Sequence, residues 1–204
     1  MTSKQDLRIR KTKHKIYAAF WKLLKEYDYS RIKVSDILTE AQINRSTFYC
    51  YYSDKDALLN KIEEQLINGF KKVALKVPRS ELGSLSPKRN ELERYYHQLV
   101  SFIYENSEKF SLLVEKGDGL TFLTKITQMD QAIWEHTSTI NKLTIPKNYV
   151  FTGMVGLAVN LIKEWIEQNF QETPAEFEHI LYEMTSPIIL KGGIFADRAV
   201  NSND

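Results

Sequence analysis

Residues 33–59, KVSDILTEAQINRSTFYCYYSDKDALL, contain two short helical patterns in close succession. In the first, from about Val34 to Ala41, apolar residues recur at spacings of three and four, which indicates one face of a helix. A three-residue break follows, and a second short helix is predicted from about Asn44, a residue type that caps helices well. Two short helices joined by a tight turn predict a helix-turn-helix motif, whose second helix enters the major groove of DNA.

The rest of the sequence shows helical patterns of the same kind. Upstream, the apolar spacing predicts a helix over 15–27, and downstream Ser53 is expected to cap a helix that runs to about Val77. Residues 78–88 are rich in Pro and Ser and are predicted to form a loop. Further helices are predicted over 90–106, 108–115, 121–140, 147–170 and 174–185. Because no window shows sustained strand-like alternation, we expect an all-α fold with about nine helices, a three-helix head and a larger helical body.

Charge is distributed unevenly along the chain. The 204 residues carry a net charge of only +2, but residues 1–56 contain 12 basic and 7 acidic side chains, and residues 57–204 contain 16 and 19. A basic end favours phosphate binding, because neutralising DNA phosphates releases counterions. A solvated tail ahead of the first helix is the alternative. We therefore expect two domains: a helix-turn-helix domain with a basic N-terminal arm at 1–56, and a helical body at 57–204.

Other patterns exclude several classes of protein. A single cysteine, Cys50, rules out a disulfide framework and a multi-cysteine zinc site, and the four scattered histidines lack metal-binding spacing. The sequence has no glycine-rich phosphate loop, nucleophile elbow or paired catalytic carboxylates, so we expect neither an enzyme nor a cofactor. It also has no long apolar run and no leader-like N-terminus, which predicts a cytoplasmic protein without membrane contact.

The run from Ile37 to Leu59 resembles the N-terminal domain of the TetR family of bacterial repressors. The matching elements are Thr-Phe-Tyr at 47–49, the aromatic pair Tyr51-Tyr52, and a lysine followed by a Leu-Leu pair. The resemblance implies three helices in a DNA-binding head and a fourth helix that links it to a ligand-binding helical body. It also implies that the last two long helices pair across a two-fold axis.

The second short helix carries most of the predicted DNA contacts. Arg45, Ser46 and Tyr49 lie opposite the apolar Phe48, and arginine can donate two hydrogen bonds to guanine. Tyr52 is expected in the core. The resemblance implies base or backbone contacts at matching positions of this helix, at the start of the helix before it and at the start of the helix after it. The predicted DNA-binding residues are Ser35, Arg45, Ser46, Thr47, Tyr49, Tyr51 and Lys55.

Two positions depart from the family pattern. The common turn glycine is replaced by Gln42, which costs about 1 kcal/mol relative to glycine if its φ is positive. The usual Ser or Thr cap of the first short helix is replaced by Lys33, so that helix is expected to start weakly or in a shifted place. Neither departure removes a predicted DNA contact.

The body offers two weaker predictions, a ligand pocket and a dimer interface. Aromatic residues of the middle helices are candidates for an effector pocket, with ordinary core packing as the alternative. The pocket candidates are Tyr96, Phe102, Phe110, Met129 and Trp134. The penultimate helix has two apolar stripes, one expected to face its own core and the other a second subunit, unless both are buried in one subunit. The interface candidates are Phe151, Val155, Val159, Ile162, Ile166, Phe177, Leu181 and Met184.

Together these patterns predict a dimeric transcriptional regulator, expected to be a ligand-responsive repressor. Its partners would be a pseudo-palindromic double-stranded DNA operator, a second copy of the chain and an unidentified small-molecule effector. One alternative is a helical small-molecule-binding protein or enzyme whose head is only a structural cap. Another is a regulator controlled by a protein partner.

Overall fold

The computed structural model describes residues 4–77, 89–135 and 143–188. The described residues form nine α-helices and contain no extended strand, so the predicted all-α class is confirmed. The helices are α1 Lys4–Glu26, α2 Val34–Ala41, α3 Arg45–Tyr49, α4 Lys55–Ala74, α5 Arg89–Glu105, α6 Ser107–Ser111, α7 Gly119–Glu135, α8 Lys147–Glu167 and α9 Pro174–Ser186. The predicted loop at 78–88 lies outside the described residues.

The described residues divide into two compact units. The N-terminal unit contains the described residues up to Leu66 together with Glu108–Phe122, and the C-terminal unit contains Ile67–Ser107 and the described residues from Leu123 onward. The domain boundary between residues 56 and 57 therefore stays a prediction, and the two units are described separately below.

The core of the N-terminal unit is built from the apolar faces that the helical spacing predicts. Phe20 of α1, Ile37 of α2, Phe48 of α3 and Leu58 of α4 are all completely buried. Tyr52 is also buried, as expected, and its ring packs against Phe48 with a centroid distance of 5.6 Å. Because a five-residue helix is not stable alone, this packing holds α3 in place.

The helix α2 begins where the sequence predicts, despite its unusual first residue. Lys33 occupies the N-cap position, and its side chain accepts no hydrogen bond there. The Asp36 carboxylate instead accepts a hydrogen bond from the Lys33 backbone N–H at 2.8 Å. This bond satisfies one of the free N–H groups at the helix start, and the expected shift of the helix is wrong.

The other two caps differ from the prediction in detail. Asn44 occupies the N-cap position of α3, but its side chain accepts no hydrogen bond from the helix. The cap of α4 is Asp54 rather than Ser53, because the Asp54 carboxylate accepts the backbone N–H of Ala57 at 2.6 Å. That bond lowers the pKa of Asp54, and a second from the Ser53 hydroxyl at 2.9 Å adds to the effect.

The helix α1 is longer than the sequence pattern predicts, and the basic N-terminal arm is part of it. The apolar face predicts a start near Lys15, whereas the helix begins at Lys4. None of residues 5–15 is buried, so the extension has no apolar stripe that a periodicity argument could detect. Its Leu, Arg and Lys residues are good helix formers, which explains how the helix continues beyond its packed part.

The C-terminal unit is built around Trp165 of α8. The indole ring stacks on Phe177 of α9 with a centroid distance of 4.1 Å, and its Nε1 donates a hydrogen bond to the carbonyl oxygen of Glu172 at 3.0 Å. α9 starts at Pro174, as predicted, with Thr173 and Glu176 forming a reciprocal capping box. The α8–α9 pair is therefore held by both packing and a well-satisfied helix start.

Candidate nucleic-acid interface

The exposed surface of α3 carries the residues predicted to read bases. Arg45 and Ser46 are exposed, and Tyr49 keeps 48% of its surface open, while Phe48 on the other side of the helix is completely buried. The buried phenylalanine fixes the rotation of the helix about its axis. Three polar side chains therefore project together from one surface, as the sequence predicts.

Thr47 and Tyr51 flank this surface and are half-buried. The Tyr51 ring is approached by the ammonium group of Lys13 in α1, which lies 5.5 Å from the ring centroid. An arrangement of this kind is a cation–π contact, and it places the basic helix α1 beside the end of α3.

Ser35 is exposed in the first turn of α2, where the resemblance implies a DNA contact. Its hydroxyl donates a hydrogen bond to the Asp36 carboxylate at 3.3 Å, and its carbonyl accepts one from the Thr39 hydroxyl at 3.0 Å. Serine lacks the charge that the family often has here, and its hydroxyl could donate to a phosphate only after it leaves Asp36.

Lys55, predicted to contact the DNA backbone, is occupied inside the N-terminal unit. Its Nζ donates hydrogen bonds of 3.0 Å to the carbonyl oxygens of both Tyr29 and Ile32, and it lies 4.3 Å from the centroid of the Tyr29 ring. The Tyr29 hydroxyl in turn donates to the Asp56 carboxylate. Burial, and secondly this bond, raises the pKa of Tyr29, so the phenol stays protonated.

These contacts tie the first turn of α4 to the segment between α1 and α2. No sequence pattern indicates the role of Tyr29, because its partners lie 26 and 27 residues further along the chain. No local spacing signals a pairing over that distance. A lysine in the first turn of a helix is unusual, since the helix dipole disfavours a cation there, and this position is a local sign that Lys55 has a special role.

Only two of the five residues predicted for the effector pocket line the same cavity. A cavity of about 50 Å³ in the C-terminal unit is lined by Tyr96 and Trp134, but not by the other three candidates. Phe110 is buried in the N-terminal unit against Phe122, with ring centroids 5.8 Å apart. Phe102 lies so close to Gly69 that a Cβ there would come within 2.6 Å of the ring. Met129 is half-buried away from the cavity.

The cavity wall is mostly apolar, with polar side-chain groups from five residues, Tyr95, Tyr96, Asp130, Trp134 and Thr185. Tyr96 and Thr185 share a buried hydrogen bond between their hydroxyl groups, and burial raises the pKa of Tyr96 to about 12. Asp130 is the one charged residue of the lining. A volume of about 50 Å³ accommodates a few water molecules, whereas drug-sized ligands occupy roughly 300–1,000 Å³. An effector would therefore have to enlarge this cavity.

Most of the residues predicted for the dimer interface are buried within the single chain. Six of the eight candidates have less than a tenth of their surface open, because the chain's own core covers them, and a covered side chain has little area left for a partner. These six are Phe151, Val155, Ile162, Ile166, Phe177 and Leu181. Val159 is half-buried in the cavity wall, and Met184 keeps 49% of its surface open.

A different face of α8 stays open in the single chain. Tyr149 is 69% exposed, Gly153 and Asn160 are exposed, and Gly156 is half-buried. A Cβ placed on either glycine would meet no atom within 4 Å. We call these four residues the open face of α8; its glycines allow another backbone to approach closely.

Within the described ranges, no helix is both long and apolar enough to span a lipid bilayer. The same residues contain no group of three or more His, Cys, Asp or Glu side chains arranged to hold a metal ion.

Part of the chain matches a known family. Residues 16–62 match the family model described as bacterial regulatory proteins, tetR family. An uncharacterized HTH-type transcriptional regulator, YxbF of Bacillus subtilis (strain 168), is 23% identical over 164 residues. That alignment covers 80% of this chain and 42% of the relative, so the chain spans about two fifths of the length of the curated protein it matches.

Solved structures agree over most of the chain. A TetR transcriptional regulator from Streptococcus agalactiae 2603V superposes with a TM-score of 0.62 at 26% identity, covering 89% of this chain and 97% of that one. The dihydroxyacetone kinase operon activator DhaS superposes with a TM-score of 0.53 at 20% identity, covering 91% and 98%, which shows a shared fold. Residues 16–62, which contain the helix-turn-helix, thus match the tetR family of bacterial regulatory proteins, and most of the chain shares the fold of a TetR transcriptional regulator.

Proposed function

We propose that this protein is a sequence-specific transcriptional repressor that binds a pseudo-palindromic DNA operator as a dimer. The observation that carries the proposal is the exposed surface of α3, where Arg45, Ser46 and Tyr49 project from a helix anchored by the buried Phe48. Side chains near the start of a recognition helix reach base edges in the major groove. Arg45 is the residue expected to discriminate guanine, by about 1–3 kcal/mol.

The proposed dimer forms through the open face of α8 and the exposed Met184 of α9. These two helices pack on each other within the chain, so a second copy would complete a four-helix interface across a two-fold axis. Two symmetry-related α3 helices would then read the two halves of the operator.

The proposed effector binds in the C-terminal unit, at the cavity lined by Tyr96 and Trp134. A ligand weakens operator binding only if it has a higher affinity for the dimer conformation that fits the operator less well. Enlargement of the cavity is one change that such a ligand would select, because the present volume is too small for most metabolites.

The test begins with a random library of DNA duplexes, from which the purified 204-residue protein selects those it binds. We expect enrichment of a sequence with two-fold symmetry. Replacement of Arg45 by alanine should relax the preference at one base pair in each half-site, because the bidentate donor to guanine is lost. The measurement is the ratio of affinities for the selected duplex and for single-base variants of it.

The matched control is Arg94→Ala, which removes an exposed arginine of α5 in the C-terminal unit. It should leave the base preference unchanged. Failure of the wild-type protein to enrich any sequence would refute the proposal. Activation rather than repression of a reporter placed behind the selected operator would refute the repressor assignment alone.

A further inference from the structure

We infer that the first three turns of α1 form a second DNA-binding surface, separate from the recognition helix, which holds the phosphate backbone beside each half-site. The inference rests on the proposed function, because it takes double-stranded DNA as the partner. This surface would contact only the phosphate backbone. It would therefore raise the affinity for DNA without adding base preference.

The first observation is that this part of α1 contributes no buried side chain to the core of its unit. None of residues 5–15 is buried, whereas Ile16 is completely buried and begins the packed part of the helix. Eleven helical residues extend over about 16 Å. Helices of this length are only marginally stable alone in water, so the extension gains stability from a bound partner.

The second observation is the charge of the extension. Residues 5–15 contain five basic side chains against one acidic one, Asp6. In the part of the chain that the structure describes, none of these five pairs with an acid. Later on the same helix, Lys22 is paired with Glu40 at 2.8 Å and Lys25 with Glu108 at 2.5 Å. Positive charge without an acidic partner is thus concentrated in residues 5–15, as expected for a surface that binds a polyanion.

The third observation shows which side of the extension adjoins the recognition helix. Lys13 lies over the ring of Tyr51, two residues after the end of α3, and Tyr17, one turn further on, accepts a hydrogen bond of 3.1 Å from Gln65 of α4. Arg10 is three residues before Lys13 and therefore lies on the same face of the helix. A DNA backbone that passes the end of α3 would meet Arg10 and Lys13 next.

The chain contains a matched control on the opposite face. Arg8 and Lys15 are seven residues apart, so they share a face, and that face lies about half a turn from Arg10 and Lys13. Two double variants, R10Q/K13Q and R8Q/K15Q, therefore remove the same charge from the same helix. They differ only in the side of the helix that loses it.

The experiment measures DNA affinity between about 50 and 200 mM salt, on the selected duplex and on a random-sequence duplex of equal length. Each phosphate contact contributes about 0.9 to the slope of log affinity against log salt. The R10Q/K13Q variant should lower the slope by about 1.8 per subunit on both duplexes, with its base preference intact. The R8Q/K15Q variant should keep the slope near that of the wild type.

Equal slopes for the two double variants overturn the inference, whether both fall or neither does. Circular dichroism and thermal melting of each variant check that α1 remains folded, because a loss of helix would change binding for another reason. If the wild type prefers the selected duplex, Arg45→Ala relaxes that preference and R10Q/K13Q keeps the wild-type slope, the proposed function stands and this inference falls. If the wild type binds no duplex, both fall.

Discussion

The ammonium group of Lys55 either holds the fold together or binds a DNA phosphate, and its contacts within the protein favour the first role. The Nζ of Lys55 is bonded to two carbonyl oxygens and lies over an aromatic ring, all within the N-terminal unit. Two of its three donors are therefore used inside the protein. We interpret Lys55 as a tether that positions α4 against the helix-turn-helix, rather than as the phosphate contact that the family resemblance implies.

Replacement of Lys55 by methionine tests this interpretation. The change keeps most of the side-chain volume but leaves the carbonyls of Tyr29 and Ile32 without their charged donor, and hydrogen bonds to charged groups are worth about 1.5–3 kcal/mol each. We expect a lower melting temperature and weaker binding to all DNA sequences, with the salt dependence of binding unchanged. Thermal melting and affinity titrations over a range of salt concentrations measure these effects.

The control is Lys61→Met on the same helix, where the lysine is half-exposed and paired with Glu64. Exposed pairs of this type contribute about 0.2–1 kcal/mol, so the melting temperature should change little. A Lys55→Met variant that melts like the wild type but has a salt slope smaller by about 0.9 per subunit would identify Lys55 as a phosphate contact instead.

At the scale of the structural element, the turn between α2 and α3 contains a residue with a strained backbone conformation. Gln42 ends α2 with φ 53° and ψ 51°, in the left-handed region where the family often has glycine. A left-handed conformation costs a residue with a Cβ roughly 1–2 kcal/mol. The backbone N–H of Ile43 still bonds to the carbonyl of Leu38 at 3.1 Å, so the turn closes normally despite the strain.

Replacement of Gln42 by glycine should therefore stabilise the protein. Relief of the left-handed strain exceeds the added entropy of the unfolded chain, which is about 0.4–1 kcal/mol, so we expect a net gain of about 0.5–1 kcal/mol. Denaturant unfolding monitored by circular dichroism measures the change.

Thr39→Gly, three residues earlier inside α2, introduces the same residue at an ordinary helical position. It should destabilise the protein, because glycine has a low helix propensity. If both glycine variants lower the free energy of unfolding, strain at Gln42 is not the dominant effect, and the side chain contributes something that the turn geometry does not explain.

At the scale of the whole molecule, the open face of α8 decides whether the protein is the proposed dimer. Gly153 is exposed, and a Cβ added there would meet no atom of a neighbouring element within 4 Å. The single chain therefore has room for a large residue at this position. In a dimer that packs through the open face, the same residue would keep the two backbones apart.

Replacement of Gly153 by tryptophan should convert the dimer to a monomer without unfolding it. Light scattering after size-exclusion chromatography measures the mass, and circular dichroism reports the helix content. The Gly153→Ala variant adds only a methyl group and should remain dimeric. A Gly153→Trp variant that still forms a complete dimer would place the interface elsewhere, and a monomeric wild type would remove the dimer from the proposal.

The sequence predicted well those features that depend on neighbours along the chain. The bounds of α2, the buried Phe48 and Tyr52 and the exposed Tyr49 all follow from helical spacing within fewer than twenty residues. Helical spacing did not predict where α1 starts, because residues 5–15 have helix propensity without an apolar stripe.

The sequence by itself determined the helical class, the helix-turn-helix and the family match of the N-terminal segment, because periodicity and a local motif encode them. Only the tertiary structure decided which face of α8 is covered and what Lys55 binds. Both stripes of α8 are apolar, so their burial depends on which helices pack against them, and Val155 and Ile166 proved to belong to the chain's own core. The Lys55 tether joins atoms 23 and 26 residues apart, and such a contact exists only once the chain has folded.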